Sequence, residues 1–154
     1  MDRKNYKIYF SGSISGGRQD AEVYRSIIEH LRDYGSVLTE HIGDPALTAS
    51  GENNIGDDYV YQRDMKWIEQ ADIFVAEVSN PSLGVGYEIA QAELRQRPVL
   101  CLFRSGTDRR LSAMIAGNPS VTMGRYDENR EIFNLIDRFF QELASGSPAE
   151  HHRE

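Results

Sequence analysis

Two acidic residues, Asp64 and Glu88, stand in sequence surroundings that would give their carboxyl groups different pKa values. Glu88 follows the glycine-containing segment Pro81–Gly86 and falls in the first turns of a predicted helix, where the helix dipole favours an ionised carboxylate. Asp64 lies on the apolar stripe of another predicted helix, three residues before Trp67, where partial burial would keep it protonated. An ionised carboxylate and a protonated carboxyl group together are the two reagents that cleave glycosidic bonds.

Each of these acids also has a structural interpretation, which the residues alone leave open. A glutamate in the first turn of a helix is common in proteins of every function. Asp64 could form an ordinary ion pair with Arg63 or Lys66 on its own helix. The chemistry therefore depends on whether the fold brings the two carboxyl groups together.

A first segment rich in glycine and serine, Ser11–Arg18, could bind an anion. Glycine lets backbone amides approach a phosphate, serine hydroxyls donate hydrogen bonds, and the following helix contributes its positive end. Gly12 and Gly17 have the spacing of a P-loop, but Arg18 and Gln19 stand where that motif needs lysine and Ser/Thr. The spacing is also not that of a dinucleotide-binding fingerprint. An NTPase and a dehydrogenase are therefore disfavoured, while a tight structural turn explains the segment as well as a ligand site does.

A second such segment precedes Glu88, where Ser82 and Gly84 can offer a hydroxyl and an amide to an anion. Metal chemistry has little support. His41 at a strand end is a weak ligand candidate, and the single cysteine, Cys101, sits inside an apolar strand. We expect no metal and no cofactor.

Composition limits the class of protein further. The chain has 154 residues, with 17 Lys and Arg against 24 Asp and Glu and a net charge of −7. An acidic protein of this size is disfavoured as a nucleic-acid binder, since phosphate neutralisation needs a basic surface. No apolar run reaches the ~18 residues of a membrane span, and no signal peptide opens the chain. We therefore expect a soluble cytoplasmic protein, with nuclear residence also open, that contacts neither membrane nor nucleic acid.

The apolar patterns alternate between strand and helix, which predicts a doubly wound, Rossmann- or flavodoxin-like α/β fold. Its five-stranded parallel sheet would carry helices on both faces and bind ligands beyond the carboxyl ends of the strands. One domain over residues 1–144 and a disordered tail over 145–154, with His151 and His152, are expected. Four strands can be located: Ile8–Phe10, Val37–Thr39, Ile73–Val78 and Pro98–Phe103. Helices are predicted around Tyr24–Leu31, with Gly35 as its stop signal, around Val60–Ala71, from near Val85, and around Ile132–Leu143.

The sequence closely resembles the 2′-deoxynucleoside 5′-phosphate N-hydrolases, relatives of the nucleoside 2-deoxyribosyltransferases. The similarity extends from about Ile8 to Phe140. Its longest matching segments make coincidence implausible. The segments that carry it are Tyr9–Ile14, Val37–His41, Ala71–Asp72, Val75–Val78, Pro81–Glu88, Leu100–Arg104 and Leu111–Ile115.

The resemblance implies an enzyme that hydrolyses the N-glycosidic bond of a deoxynucleoside 5′-monophosphate, releasing a free base and 2-deoxyribose 5-phosphate. By matching motif, Glu88 would be the nucleophile that forms a deoxyribosyl–enzyme intermediate. Asp64 would be the general acid and then the base that activates water, and Tyr9 would orient Glu88. The residues implied to hold the nucleotide are Gly12, Ser13, Ile14, Ser15, Gly16, Gly17, Arg18, Ser82 and Gly84.

The resemblance also implies a homodimer, in which Ser112 reaches the phosphate of the neighbouring subunit's ligand. One departure affects the first loop, because the family commonly has arginine where this chain has Ser15. Arg18 or Arg104 could supply the missing cation, and affinity or base preference could differ. Ile14 matches the deoxynucleotide branch of the family, which supports a 2′-deoxy substrate.

Two further functions stay open at this point. A transferase that moves deoxyribose between bases would use the same carboxylates without requiring the 5′-phosphate. A non-catalytic nucleotide-binding module would bind without turnover. Retention through a covalent intermediate predicts that the carboxyl groups of Asp64 and Glu88 lie about 5–5.5 Å apart, and a separation beyond ~6.5 Å would favour direct inverting hydrolysis.

Overall fold

The computed structural model describes residues 5–14, 18–44 and 55–146, in which strands and helices alternate. A short 3-10 helix covers Glu40–Gly43. The strands are β1 (Tyr6–Gly12), β2 (Gly35–Val37), β3 (Ile73–Glu77), β4 (Val99–Arg104) and β5 (Val121–Tyr126). The helices are α1 (Arg18–Leu31), α2 (Asp57–Gln70), α3 (Leu83–Leu94), α4 (Ala113–Ala116) and α5 (Glu131–Ser145).

The sheet has five parallel strands in the order β2-β1-β3-β4-β5. The predicted doubly wound α/β fold is confirmed, and the strand order is the flavodoxin-like one. The direction of winding changes between β1 and β3, which are direct neighbours with Phe10 opposite Val75. In open α/β sheets ligands bind beyond the carboxyl ends of the strands at this change of direction.

Apolar side chains cover both faces of the sheet. Helices α1 and α5 pack with Ile8 and Phe10 on one face. Helices α2 and α3 pack with Tyr9 and Phe74 on the other face. Because side chains alternate along a strand, Tyr9 and Ser11 share the face that α2 and α3 cover. The strand period therefore decides which of these residues can meet the two carboxylates.

Strand β2 differs from the predicted strand Val37–Thr39. It begins at Gly35, which was expected to end the preceding helix, whereas α1 already ends at Leu31. A Cβ at position 35 would lie 1.9 Å from the carbonyl oxygen of Tyr6, so only glycine allows this approach of the two strands. Beyond the strand, the Thr39 hydroxyl accepts from the Phe10 amide at 2.9 Å and donates to the Phe10 carbonyl at 2.6 Å. A side chain thus continues the pairing where the backbone turns away.

The fifth strand, β5, was expected but could not be located in the sequence. It forms an edge of the sheet, and three of its six residues, Val121, Gly124 and Tyr126, are buried. A Cβ at Gly124 would lie 3.1–3.2 Å from side-chain atoms of Leu102 and Leu135. Glycine at this position therefore allows α5 to pack closely against β5. A half-covered edge strand with a central glycine has a weak apolar pattern, which explains the omission.

Helix α5 has the predicted apolar stripe, and it ends at Ser145 with Gly146 in the left-handed conformation at φ 66°. The expected tail over residues 145–154 therefore starts within the last helical turn, and residues 147–154, with both tail histidines, lie outside the described part. Within residues 5–14, 18–44 and 55–146, no helix is long and apolar enough to cross a membrane. Cytoplasmic or nuclear residence stays a prediction.

Candidate active site

Glu88 lies on α3 and meets the β1 side chains that face this helix. It is the sixth residue of the helix, which begins at Leu83, so it lies in the second turn. Its carboxyl group is hydrogen-bonded to the hydroxyls of Tyr9 and Ser11. Tyr9 and Ser11 are both nearly inaccessible, at 2% and 3% exposed. The Glu88 carboxyl group therefore accepts hydrogen bonds from two buried hydroxyls of β1.

The protonation state of Glu88 differs from the sequence expectation. Its pKa is raised to about 7, chiefly by burial and also by the negative charge of Asp64, while the Tyr9 and Ser11 hydrogen bonds and the charge of Arg63 act to lower it. We expected the helix dipole to keep this carboxylate ionised, but that effect fades beyond the first turn. Desolvation dominates, so Glu88 exchanges its proton near neutral pH.

Tyr9 is held rigidly between the sheet and this carboxyl group. Its ring stacks on Phe74 with centroids 5.1 Å apart and planes 9° from parallel. Burial raises the pKa of Tyr9 strongly, and the charges of Glu88 and Asp64 raise it further. The phenol therefore stays protonated and acts as a donor to Glu88, as the orienting role requires.

Asp64 forms the ion pair that the sequence left open as an alternative. Its Oδ1 lies 3.0 Å from Nε of Arg63, and the two side chains are 21% and 15% exposed. The expectation of an unpaired, protonated aspartic acid against Trp67 therefore does not describe its surroundings. Asp64 nevertheless lies close enough to Glu88 and Tyr9 for its charge to raise the pKa of both. The fold thus brings all three predicted catalytic residues together.

The sequence reasoning included Arg63 as a possible partner of Asp64, but it missed the other contacts of Arg63 and the hydrogen bond from Ser11 to Glu88. The Arg63 guanidinium carbon lies 4.8 Å from the centre of the Trp67 ring, and its Nη2 lies 3.4 Å from Nε2 of His41. The i, i+4 spacing of Arg63 and Trp67 could have signalled this stacking. Ser11 lies two residues after Tyr9, so the strand period could have placed it on the same face.

The first loop is only partly described. Gly12 ends β1, and a Cβ there would lie 2.8 Å from the Tyr24 ring, which gives this glycine a packing role. The Tyr24 hydroxyl donates to the carbonyl of Ser13 at 2.9 Å, while Ile14 is partly exposed. The predicted nucleotide-holding residues Ser15, Gly16 and Gly17 lie outside the described residues. Arg18 begins α1.

Two residues predicted to hold the nucleotide stand at the start of α3. Ser82 is the N-cap, and its hydroxyl accepts from the Val85 amide at 3.3 Å. Its own proton can still be donated to a ligand. Gly84 is the second residue of the helix, and a Cβ there would have only the Ser82 hydroxyl within 4 Å, at 3.8 Å. Room and donors for an anion therefore exist at this helix end.

Ser112 lies elsewhere in its own chain. It caps the short helix α4 by accepting from the Met114 amide at 3.3 Å. It lines a groove of about 760 Å³ together with Ser82, Ile89 and Phe103, between α3 and α4. Neither Glu88 nor Asp64 lines this groove. Ser112 therefore lines a different part of its own chain from Glu88 and Asp64.

Cys101 and Arg104, two other residues considered in the sequence, both lie on β4. Cys101 is fully buried, and burial raises its thiol pKa to about 12, which leaves an unreactive core residue. Arg104 lies over the Tyr126 ring at 5.7 Å on the face of α1 and α5. The charge of Arg104 also acts on Asp20 in the first turn of α1, and its role as a replacement for the cation missing at Ser15 stays a prediction. Among the described residues no group of three or more His, Cys, Asp or Glu could hold a metal ion.

This arrangement can cleave a bond to an anomeric carbon. Glu88 provides a carboxylate near its ionisation midpoint, and Asp64 provides a second carboxyl group that is close enough to interact with it. Tyr9 and Ser11 fix the first group, and Arg63 fixes the second. Two neighbouring carboxyl groups, one ionised and one protonated, can serve as nucleophile and acid.

Comparisons with known proteins agree with this chemistry. The chain is 44% identical over 139 residues to a 5-hydroxymethyl-dUMP N-hydrolase of Danio rerio. The matched region covers 88% of the chain and 96% of the relative. It is 44% identical over 146 residues to the protein of that name from Homo sapiens, covering 92% and 83%. A putative 2′-deoxynucleoside 5′-phosphate N-hydrolase 1 of Trichoplax adhaerens is 47% identical over 135 residues, covering 86% and 92%.

Solved structures show the same fold. A structure described as BlsM in solution matches with a TM-score of 0.74 at 19% identity, covering 97% of the chain and 99% of the other. The Clostridium botulinum CMP N-glycosidase BcmB matches with a TM-score of 0.62 at 17% identity, covering 85% and 98%. At these identities the likeness concerns the fold.

The family model described as nucleoside 2-deoxyribosyltransferase matches residues 8–135, which include β1, α2 and α3 with their catalytic candidates. The predicted family and the predicted enzyme class, an N-glycosidase, are confirmed by these matches. Because the family model and the relatives both extend over most of the sequence, the chain belongs to the nucleoside 2-deoxyribosyltransferase family.

Proposed function

We propose that this protein hydrolyses the N-glycosidic bond of 2′-deoxynucleoside 5′-monophosphates to a free base and 2-deoxyribose 5-phosphate. The observation that carries the proposal is the meeting of Glu88, Tyr9 and Asp64 at the carboxyl edge of the sheet. The names of the most similar relatives, which are N-hydrolases of deoxynucleotides, support the same substrate class.

In the first step, a carboxylate oxygen of Glu88 attacks C1′ of the deoxyribose. The bond between C1′ and the base nitrogen breaks, and its electron pair leaves with the base, which takes a proton from Asp64. The developing oxocarbenium character at C1′ is stabilised by the nearby carboxylate. Tyr9 and Ser11 hold the attacking oxygen through their hydroxyls.

The first step needs Glu88 as a carboxylate and Asp64 with a proton to give. The pKa of about 7 makes Glu88 substantially ionised at neutral pH. The form with the proton on Glu88 and the form with it on Asp64 have the same net charge, so a proton that moves from Glu88 to Asp64 sets up the reactive form.

In the second step, ionised Asp64 removes a proton from water, whose oxygen attacks C1′ and releases Glu88 as a carboxylate. The ion pair with Arg63 suits this step, because Asp64 must now be charged. Two displacements at C1′ give overall retention. NMR can identify which anomer of deoxyribose 5-phosphate forms first. Retention is the expected result, and the inverted anomer would refute the covalent intermediate.

The 5′-phosphate is proposed to bind at the start of α3, where the Ser82 hydroxyl and the Gly84 amide can donate. The residues of the first loop are proposed to hold the nucleotide as well: Gly12, Ser13, Ile14, Ser15, Gly16, Gly17 and Arg18. Backbone amides and hydroxyls of this kind bind one phosphate without a basic surface, which agrees with the net charge of −7.

The experiment incubates the protein with deoxy- and ribonucleosides of each base, with and without the 5′-phosphate, and detects free base by chromatography. Release from deoxynucleoside 5′-monophosphates alone is the expected result. Adding a second free base detects the transferase, since a new nucleoside would form. Binding of nucleotides without any release would instead identify a non-catalytic binding module.

We further propose a homodimer that buries the apolar surface of α3 and α4. Leu83 is 96% exposed, Met114 is 82% exposed and Leu94 is 75% exposed, an unusual set of large apolar side chains for a free surface. Leu83 and Met114 also line the groove that contains Ser82 and Ser112. A second copy on this surface would cover it and bring a second Ser112 to the neighbouring site.

Mixing two variants tests whether Ser112 acts across the interface. Glu88→Gln removes the nucleophile of one subunit, and Ser112→Ala weakens phosphate binding in the other. If Ser112 serves the neighbouring site, a mixed dimer regains one intact site and the low KM returns. If mixing leaves the KM of the Ser112→Ala protein unchanged, or the protein sediments as a monomer, the shared site is refuted.

A further inference from the structure

The Arg63 side chain contacts Asp64, His41 and Trp67, and it is 15% exposed. Its Nε lies 3.0 Å from Oδ1 of Asp64, and Nη2 lies 3.4 Å from Nε2 of His41. Its guanidinium carbon lies 4.8 Å from the centre of the Trp67 ring. Because these contacts are largely removed from water, charge interactions within them are stronger than on an open surface.

The three contacts fix both the position and the plane of the guanidinium. Trp67 belongs to the same helix, α2, and supports one face of the group. His41 belongs to the 3-10 helix that follows β2, so its contact ties α2 to a separate part of the fold. Asp64 receives a hydrogen bond from this group, which is itself held in place. Arg63 therefore restricts the orientation of the Asp64 carboxylate.

The charge of Arg63 also acts on the second carboxyl group. The groups that face Glu88 are Tyr9 and Ser11 from β1, and Asp64 and Arg63 from α2. Of these, Asp64 raises the pKa of Glu88 through its negative charge, and Arg63 opposes it. The cation thus offsets the repulsion between two carboxylates that the reaction needs close together.

We propose that Arg63 is a positioning residue, which holds the Asp64 carboxylate in one orientation toward the leaving base and balances the charge of the carboxylate pair. This inference rests on the proposed function, because it assumes that Asp64 exchanges a proton with the base and with water. It adds a residue whose contribution is geometric and electrostatic, with no bond to the substrate.

Two substitutions separate the geometric contribution from the charge. Arg63→Gln removes the charge, so kcat should fall roughly 10- to 100-fold and the acidic limb of kcat/KM should move up by roughly half a pH unit. Arg63→Lys keeps the charge but loses the planar fork, so kcat should fall while the limb stays in place. Lys66→Gln, one turn away on the exposed side of α2, is the control with the same change of charge.

The outcomes distinguish this inference from the proposed function. If the wild-type protein releases no base from any nucleotide, the proposed function fails. If it releases base and Arg63→Gln leaves both kcat and the acidic limb unchanged, the inference about Arg63 fails alone. An equal limb shift in Lys66→Gln would also overturn it, because a distant surface charge would then suffice.

A measurement independent of turnover completes the test. Since the Arg63 guanidinium can only donate, neutral His41 must accept at Nε2 and carry its proton on Nδ1. ¹⁵N NMR of the imidazole distinguishes the two tautomers. We expect the Nδ1–H form in the wild-type protein and a mixture in Arg63→Gln. An Nε2–H form in the wild-type protein would overturn the contact.

Discussion

Two glutamates lie near the same edge of the sheet, on opposite faces, and their surroundings differ in kind. Glu77 ends β3 on the face of α1 and α5 and is 2% exposed, whereas Glu88 on α3 faces α2 and β1. Burial raises the pKa of both. Burial alone therefore does not distinguish a structural acid from a chemical one.

The difference lies in the neighbours. An oxygen of Glu77 accepts from the Ser79 amide at 3.2 Å, from the Ser79 hydroxyl and from the Tyr126 hydroxyl at 3.1 Å. The Ser79 oxygen in turn accepts from the Arg104 amide at 2.7 Å, so the network ties the ends of β3, β4 and β5. Donors dominate around Glu77, where the negative charge of Asp20 is the weakest influence, whereas at Glu88 the charge of Asp64 outweighs the hydrogen bond from Ser11.

Substituting each glutamate in turn should separate the two roles most strongly. Glu88→Gln should lower kcat by about 10³-fold or more while nucleotide binding persists, because an amide cannot act as the nucleophile. Glu77→Gln should keep kcat within a few-fold, since its amide oxygen still accepts hydrogen bonds. Steady-state kinetics and calorimetric binding check this, and comparable losses of kcat in both variants would contradict the comparison.

Stability should respond in the opposite order. Glu77→Ala should lower the free energy of unfolding by about 2–4 kcal/mol, because buried donors of Ser79 and Tyr126 lose their acceptor. Urea unfolding measures this change. Glu77→Gln is the matched control and should lose less. A Glu77→Ala protein as stable as the wild type would mean that the network does not hold the strand ends.

The two tyrosines bonded to these glutamates sharpen the contrast. Tyr9→Phe should lower kcat/KM by about 10- to 100-fold, and its acidic limb should move to higher pH, because the lost hydrogen bond favoured ionised Glu88. Tyr126→Phe should leave the pH profile in place and lower the melting temperature instead. Unchanged kinetics in Tyr9→Phe would remove the orienting role.

The smallest expected effect concerns stability against pH. Glu88 has a raised folded pKa of about 7 against an ordinary 4.5, so its contribution is fully present below pH 4.5 and is lost as pH rises through 7. Glu88→Gln avoids that loss. It should gain about 1–3 kcal/mol relative to the wild type between pH 5 and pH 8.5. Melting temperatures at both values test this, and a constant difference would argue against burial of an ionisable Glu88.

The catalytic candidates could be identified from the sequence because residue type and motif already point to them. Tyr9 and Glu88 lie in segments that match the family, Asp64 stands out as an acid on an apolar helix face, and the fold brings the three together. The strongly apolar β3 and β4 were located closely, whereas β5 was not, because an edge strand buries only part of its residues. The sequence pattern predicts a helix stop at Gly35, because the close approach of this residue to Tyr6 is invisible along the chain.

By itself, the sequence determined the alternation of strands and helices, the parallel sheet and the residue types of the site, because these follow from local periodicity and composition. Only the tertiary structure decided the protonation of that site. A helix dipole is a local effect, but the burial of Glu88 and the charge of Asp64, 24 residues away in sequence, act through space and raise its pKa, although Arg63, 25 residues away, lowers it.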